Sequence, residues 1–175
     1  MRNIMIGFLL VFLDFNLNIN ASKIGLLPDF IGYIIMGKGL LEMAGDSSLF
    51  MKAKPFVSAM AVYSGILYFM DLFGMSVSLG GLSYILSIIS VFASLYISYQ
   101  IVMGVVEMEA KYNINLNAAN LRSTWIIFAC FNVMTPLSIL VPLITLVFII
   151  ISFILAICFL ISFNRSKNLY YHYVD

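Results

Sequence analysis

The sequence predicts an all-α, polytopic membrane protein with about six transmembrane or membrane-embedded helices, the first two short. Three observations carry this reading. Hydrophobic residues make up 63% of the chain and charged residues 10%, against roughly 45–50% and 25% in soluble domains. The mean hydropathy is +1.07, more apolar surface than a water-soluble globule can cover. The basic residues also sort to one side once the apolar runs are threaded alternately through a bilayer.

The elements follow from run length and punctuation. A first helix over 3–17 and a second over 28–43 are both short for a crossing of about 20 residues. Pro28 suits the first helical position of the second, where its missing N–H costs nothing. These two form either tilted partners in a thinned bilayer or a re-entrant hairpin buried against the other helices. A third helix is expected over 56–73 and a fourth over 82–110. The apolar run 125–163 would be roughly 58 Å long as one helix, too long for a single crossing. Pro136 and Pro142 divide it, because each removes a helical hydrogen bond. Helices over 118–135 and 142–165 result, and residues 1–175 form one integral membrane domain.

With the N-terminus in the cytoplasm, Arg2, Lys52, Lys54, Lys111, Arg122, Arg165 and Lys167 all fall inside, Lys38 lies close to the same side, and Lys23 falls outside. The positive-inside rule then places both termini in the cytoplasm of a bacterial plasma membrane. Trp125 and the Tyr170, Tyr171 and Tyr173 group fit interfacial aromatic belts. Arg2, the apolar run 4–13 and Ile19, Asn20 and Ala21 loosely fit a signal peptide. Asp14 and the asparagines make a poor approach to cleavage, so the segment is expected to stay as a helix. Three-plus-three inverted halves suit six helices, yet neither Pro136 nor Pro142 has an acidic neighbour to match Pro28 and Asp29.

The polar residues stand out against this background. Asp14, Asn16, Asn18 and Asn20 alternate, which superficially resembles the opening of a calcium loop. Ile19 stands where that loop needs Gly and Gly25 where it needs Glu, so an EF-hand is excluded. The alternation suggests an extended connector whose amides satisfy backbone groups, or else a ligand- or ion-binding loop. Asp29 complements the dipole of the second helix, while Asp71 lies at an unfavourable helix C-terminus beside Gly74. The topology gathers Asp14, Asp29 and Asp71 at one level, where they could attract a cation or proton.

Ser83, Ser87, Ser90, Ser94 and Ser98 span about 80° of the fourth helix, one narrow stripe. They are expected to be a close-packing seam or a hydroxyl-lined pathway, with Tyr96 and Gln100 off the stripe. Lys38, about 180° from Asp29 around the second helix, should snorkel beside Glu42. Glu107 and Glu109 read as a solvated loop, and His172 as part of an interfacial tail. Cys130 and Cys158 read as buried packing thiols. No catalytic triad, HExxH or phosphate-binding loop occurs, so no enzyme, metal site or cofactor is expected. The net charge of +1 offers no basic stripe for nucleic acid.

The segment Gly25-Leu-Leu-Pro-Asp-Phe-Ile-Gly-Tyr33, after a short first helix, resembles one in small uncharacterised multi-pass membrane proteins of Gram-positive bacteria. The resemblance covers about the first forty-five residues. It implies membrane localisation and carries no chemistry. Abundant Ile, Asn, Lys, Phe and Tyr fit an AT-rich genome of that kind. The leading expectation is a small transporter or channel-like protein, or a subunit of one, handling a cation or proton. The alternative is a non-transporting assembly, sensory or immunity-type partner. The lipid bilayer is the expected surrounding, with a second copy or another membrane protein as partner.

Overall fold

The computed structural model describes residues 1–12, 16–19, 22–25, 28–73, 81–137 and 142–174; side chains at 16–25, 71, 81–83, 136–137 and 142–144 lie outside the described set. The chain runs α1 (Arg2–Phe12), β1 (Asn16–Ile19), β2 (Ser22–Gly25), α2 (Asp29–Glu42), α3 (Ser48–Leu72), α4 (Gly81–Tyr112), α5 (Ala118–Leu137) and α6 (Pro142–Val174). Among the described residues there are six helices and one small hairpin.

Several boundaries differ from the sequence reading, each for a local reason. The first helix was expected to reach residue 17, but α1 ends at Phe12. Asn16–Ile19 instead pairs antiparallel with Ser22–Gly25, Asn16 opposite Gly25 and Ile19 opposite Ser22. Asparagine competes with helical hydrogen bonds, and the period-2 alternation suits a strand. The connector is therefore extended, and the expected all-α fold carries this one exception.

The third helix begins at Ser48 rather than 56 and contains Pro55. Ser47 starts it by accepting a hydrogen bond from the Leu49 amide at 3.1 Å, a side-chain N-cap. Glu107 and Glu109, expected to be solvated, lie in the last turns of α4 and accept hydrogen bonds from Ser47 and from the Leu116 amide. The tyrosines expected in a tail belong to α6, which runs nine residues past the expected end at 165. Cys130 and Cys158, expected to be buried, are exposed free thiols on the outer faces of α5 and α6.

Each helix packs on its neighbours in sequence, and α1 packs on α6 to close the circuit. The pairs are antiparallel throughout. Asn3 meets Glu42, Phe30 meets Tyr68, Phe56 meets Tyr96, Tyr99 meets Trp125, Phe131 meets Phe148 and Phe8 meets Phe163. The chain start, the α2–α3 and α4–α5 connections and the chain end thus share one end of the bundle. Arg2, Lys52, Lys54, Lys111, Arg122, Arg165 and Lys167 all lie toward it.

That end is tied together by polar contacts. Asp46 accepts hydrogen bonds from Tyr112 at 2.8 Å and Tyr170 at 3.2 Å, while Lys111 Nζ donates to the Gly45 and Asp46 carbonyls. Ser47 donates to Glu107 at 2.5 Å, and Tyr171 Oη accepts from the Arg2 amide at 3.2 Å. Burial pushes the Met1 ammonium down from its ordinary value, with Glu42 and Asp46 pulling it partly back.

The tightest core lies just above these contacts. Ile4, Phe8, Met36, Leu40, Phe50, Ile101, Val105 and Phe163 are all buried there. Farther along, the outward helix faces are apolar, with Val62 and Ile161 each 65% exposed and Ile85, Ile89, Phe92, Leu146 and Ile150 exposed beside them. Two stretches are long and apolar enough to cross a membrane, Tyr84–Tyr112 in α4 and Thr145–Val174 in α6. Of the six expected crossings, two meet that criterion among the described residues.

Candidate functional site

The helices part around a central cavity of about 520 Å³. All six contribute to it: Phe12 from α1, Asp29 and Tyr33 from α2, Tyr63, Ser64 and Tyr68 from α3, Ser90 and Ser94 from α4, Phe128 and Asn132 from α5, and Ser152 and Phe153 from α6. Its volume falls in the range of about 300–1,000 Å³ typical of small-molecule sites, and so does its lining of aromatic rings with a few placed polar groups.

The floor toward the charged end is aromatic. Phe12 packs on Phe128 with ring centroids 5.2 Å apart, and Phe128 stacks on Phe159 at 5.7 Å. Phe8 meets Phe159 edge-on at 5.3 Å. Beside these rings, the Tyr33 and Ser94 hydroxyls share a hydrogen bond of 2.8 Å that links α2 to α4. A second cavity of about 490 Å³ lies at the charged end, among Arg2, Asn3, Glu42, Lys167, Asn168 and Tyr171.

Asp29 occupies the first turn of α2, behind Pro28. Its charge there complements the helix dipole, and Tyr33, four residues on, lies on the same helix face. Asp29 is the expected site residue that the structure places in the cavity wall. Asp14 and the side chains of Asn16, Asn18 and Asp71 lie outside the described residues. The backbone puts Asn16 and Asn18 in β1 and Asp71 in the last turn of α3. The expected meeting of three aspartates therefore falls outside the described set.

The serine stripe divides by depth. Ser83 has its side chain outside the described set. Ser87 is exposed and donates to the Tyr84 carbonyl at 2.7 Å. Ser90 donates to the Leu86 carbonyl at 2.9 Å and lines the cavity with Ser94. Ser98 is buried and accepts from Trp125 Nε1 at 2.9 Å, joining α4 to α5. One stripe thus supplies both packing contacts and cavity lining.

Trp125, expected at an interface, makes an interior contact here. It is the single tryptophan of the chain, so Ser98→Ala is expected to shift its emission to shorter wavelength as the indole loses its polar partner. The same change should lower stability by about 1 kcal/mol, measured by thermal unfolding in detergent.

Sequence reading missed Tyr33, Tyr63, Ser64, Tyr68, Asn132 and Ser152. Asn132 and Ser152 carried a signal, since polar residues interrupt long apolar runs there. The tyrosines carried none, because Tyr is equally at home in a packed core. Comparison with protein-family models, with curated proteins and with solved structures gives no match to this chain. Among the described residues it has six packed helices with an apolar surface, two of them long and apolar enough to cross a membrane, and a largely apolar cavity holding a few polar groups.

Proposed function

We propose that this protein is a small integral membrane transporter or channel-like protein that handles a cation, with the central cavity as its solute site. The observation that carries this reading is the cavity itself, an Asp29 carboxylate among hydroxyls and an amide inside an otherwise apolar bundle. Polar and ionisable groups at membrane depth are costly and mark solute pathways by default.

The surroundings support it. Outward faces rich in Ile, Val, Leu and Phe suit lipid tails, as do two exposed cysteines in apolar surroundings. The positive-inside rule assigns the basic end to the cytoplasm of the bacterial plasma membrane, and both termini with it. α1 and α2, roughly 16 and 21 Å long, form a half-depth hairpin on this reading, capped on the outer side by β1 and β2. Ser90 and Ser94 stand near the middle of α4, so the cavity runs from mid-depth outward and its aromatic floor closes the cytoplasmic side.

The alternative role as an assembly, sensory or immunity-type partner would use the serine stripe as an outer seam. Against that use, Ser94 shares a hydrogen bond with Tyr33 and Ser98 accepts one from Trp125 Nε1, both between helices of this chain, while Ser87 is exposed.

The test is flux in proteoliposomes. Cation-dependent transport should appear with the parent protein and fall at least tenfold in Asp29→Asn. Transport that survives unchanged in this variant would remove Asp29 from the mechanism, and absence of any flux would remove the transport reading.

A further inference from the structure

The hydrogen bonds around the cavity fix which way its polar groups face. A hydroxyl bonded to a carbonyl must donate to it, because a carbonyl oxygen only accepts. Ser64 donates to the Met60 carbonyl at 2.6 Å and Ser90 to the Leu86 carbonyl at 2.9 Å. Thr135 gives its proton to the Phe131 carbonyl at 2.9 Å, so in its 3.3 Å bond with Ser152 the serine is the donor. The Asn132 amide nitrogen donates to the Phe128 carbonyl at 2.9 Å, which orients the side-chain oxygen as the remaining acceptor.

Ser64, Ser90 and Ser152 have given their hydroxyl protons to the protein and keep oxygen lone pairs for a ligand, while Asn132 keeps its side-chain oxygen and one N–H. Asp29 adds a carboxylate to the same lining. The polar lining is biased toward acceptors. The phenols of Tyr63 and Tyr68 can turn either way, the Tyr33–Ser94 pair keeps one hydroxyl proton, and among the described residues no Lys, Arg or His lines the cavity.

We infer that the ligand of this cavity is a protonated organic amine, an ammonium group on an apolar or aromatic body. The inference rests on the reading of the cavity as a solute site. An ammonium brings donors and positive charge to a wall that offers acceptors. The aromatic rings of Phe12, Phe128, Phe153, Tyr63 and Tyr68 in the lining would cover its apolar body, and any ring face turned to the ammonium would attract it through its quadrupole. A bare divalent ion instead requires several converging oxygen ligands. Among the described residues no group of three or more His, Cys, Asp or Glu side chains could hold a metal ion. A cavity of about 520 Å³ also exceeds what a bare ion or proton needs, and suits a molecule of small-drug size.

The experiment is equilibrium binding of radiolabelled phenethylammonium to the full-length protein in nanodiscs. Unlabelled phenethylammonium, the neutral 3-phenylpropanol, the anionic 3-phenylpropionate and sodium chloride serve as competitors. Saturable binding displaced by the amine, with the neutral and anionic analogues at least tenfold weaker, is the expected result. Asn132→Leu should weaken binding at least tenfold and Ser152→Ala several-fold, while Thr124→Ala, near the basic end of α5 and away from the cavity lining, leaves it unchanged. Should Asn132→Leu fail to fold, Ser152→Ala carries the test. Equal competition by the neutral or anionic analogue, or no amine binding, overturns the inference. Sodium or proton flux in the same preparation separates the two readings. Flux without amine binding leaves transport standing and removes the amine; amine binding without any flux does the reverse.

Discussion

Replacing Gly39 with leucine is expected to separate α1 from α2 and leave little folded protein in detergent. A Cβ at this position would stand 2.7 Å from the Ile4 amide nitrogen, 2.8 Å from Ile4 Cγ1 and 3.0 Å from Asn3 Cβ. Gly7 is as tight from the other side, its added Cβ 2.6 Å from Met36 Cβ and 2.8 Å from the Gly32 carbonyl. The obstacles include backbone, which cannot rotate aside, so the two helices would have to move apart. Close approach through small residues is a main source of helix association in membranes. Overpacking usually costs about 1–3 kcal/mol, and the leucine belongs at or above the top of that range. Gly37→Ala is the matched control. Its Cβ meets Val57 Cγ1 at 3.6 Å, an ordinary contact, and alanine gains about 1 kcal/mol in helix propensity. Thermal unfolding of both variants by circular dichroism in one detergent checks the pair. A Gly39→Leu protein that melts with the parent would show that this contact does not hold the hairpin.

Glu109→Ala should release the start of α5. Glu109 sits near the end of α4 and reaches across the connection, where Oε2 accepts from the Leu116 amide at 2.7 Å and the Ala118 amide at 3.0 Å. The turn between them depends on two asparagines in the left-handed region, Asn113 with φ 52° and Asn117 with φ 59°, a conformation Asn tolerates better than most residues. Removing the carboxylate leaves both amides without this charged acceptor, a loss of about 2–3 kcal/mol. Glu109→Gln keeps an acceptor and should cost roughly half as much. Hydrogen exchange locates the effect, with the amides of residues 116–121 expected to speed up first. A uniform change across all helices would oppose a capping role.

Glu109 also marks a limit of reading the chain alone. A glutamate after a long apolar run reads as a solvated loop residue, since nothing nearby in sequence reveals that two amides seven and nine residues on will face it. The same limit hid Ser47, whose role as the start of α3 is clear from its contact with the Leu49 amide. Helix ends were harder than helix middles for this reason. The run 125–163, by contrast, was correctly divided between Pro136 and Pro142, because proline acts through its own backbone. The period-2 alternation after α1 predicts an extended connector, and the backbone at Asn16–Ile19 and Ser22–Gly25 is a hairpin.

The candidate site was legible in part. Asp29 stood out because carboxylates are rare in this chain, and the serine stripe because helical spacing is regular. That Ser90 and Ser94 face a cavity while Ser98 bonds Trp125 depends on which helices sit opposite each depth of α4.

By itself the sequence determined a helical, strongly apolar chain whose basic residues return to one end with each alternate helix. Those properties follow from composition, run length and charge spacing, which act locally along the chain. The tertiary structure alone decided the glycine contacts of α1 with α2, the cap on α5 and which polar side chains line the cavity. Which hydroxyls meet in one cavity, or the room beside a glycine, depends on which group from another helix comes to face it. Only the folded arrangement of all six helices supplies that group.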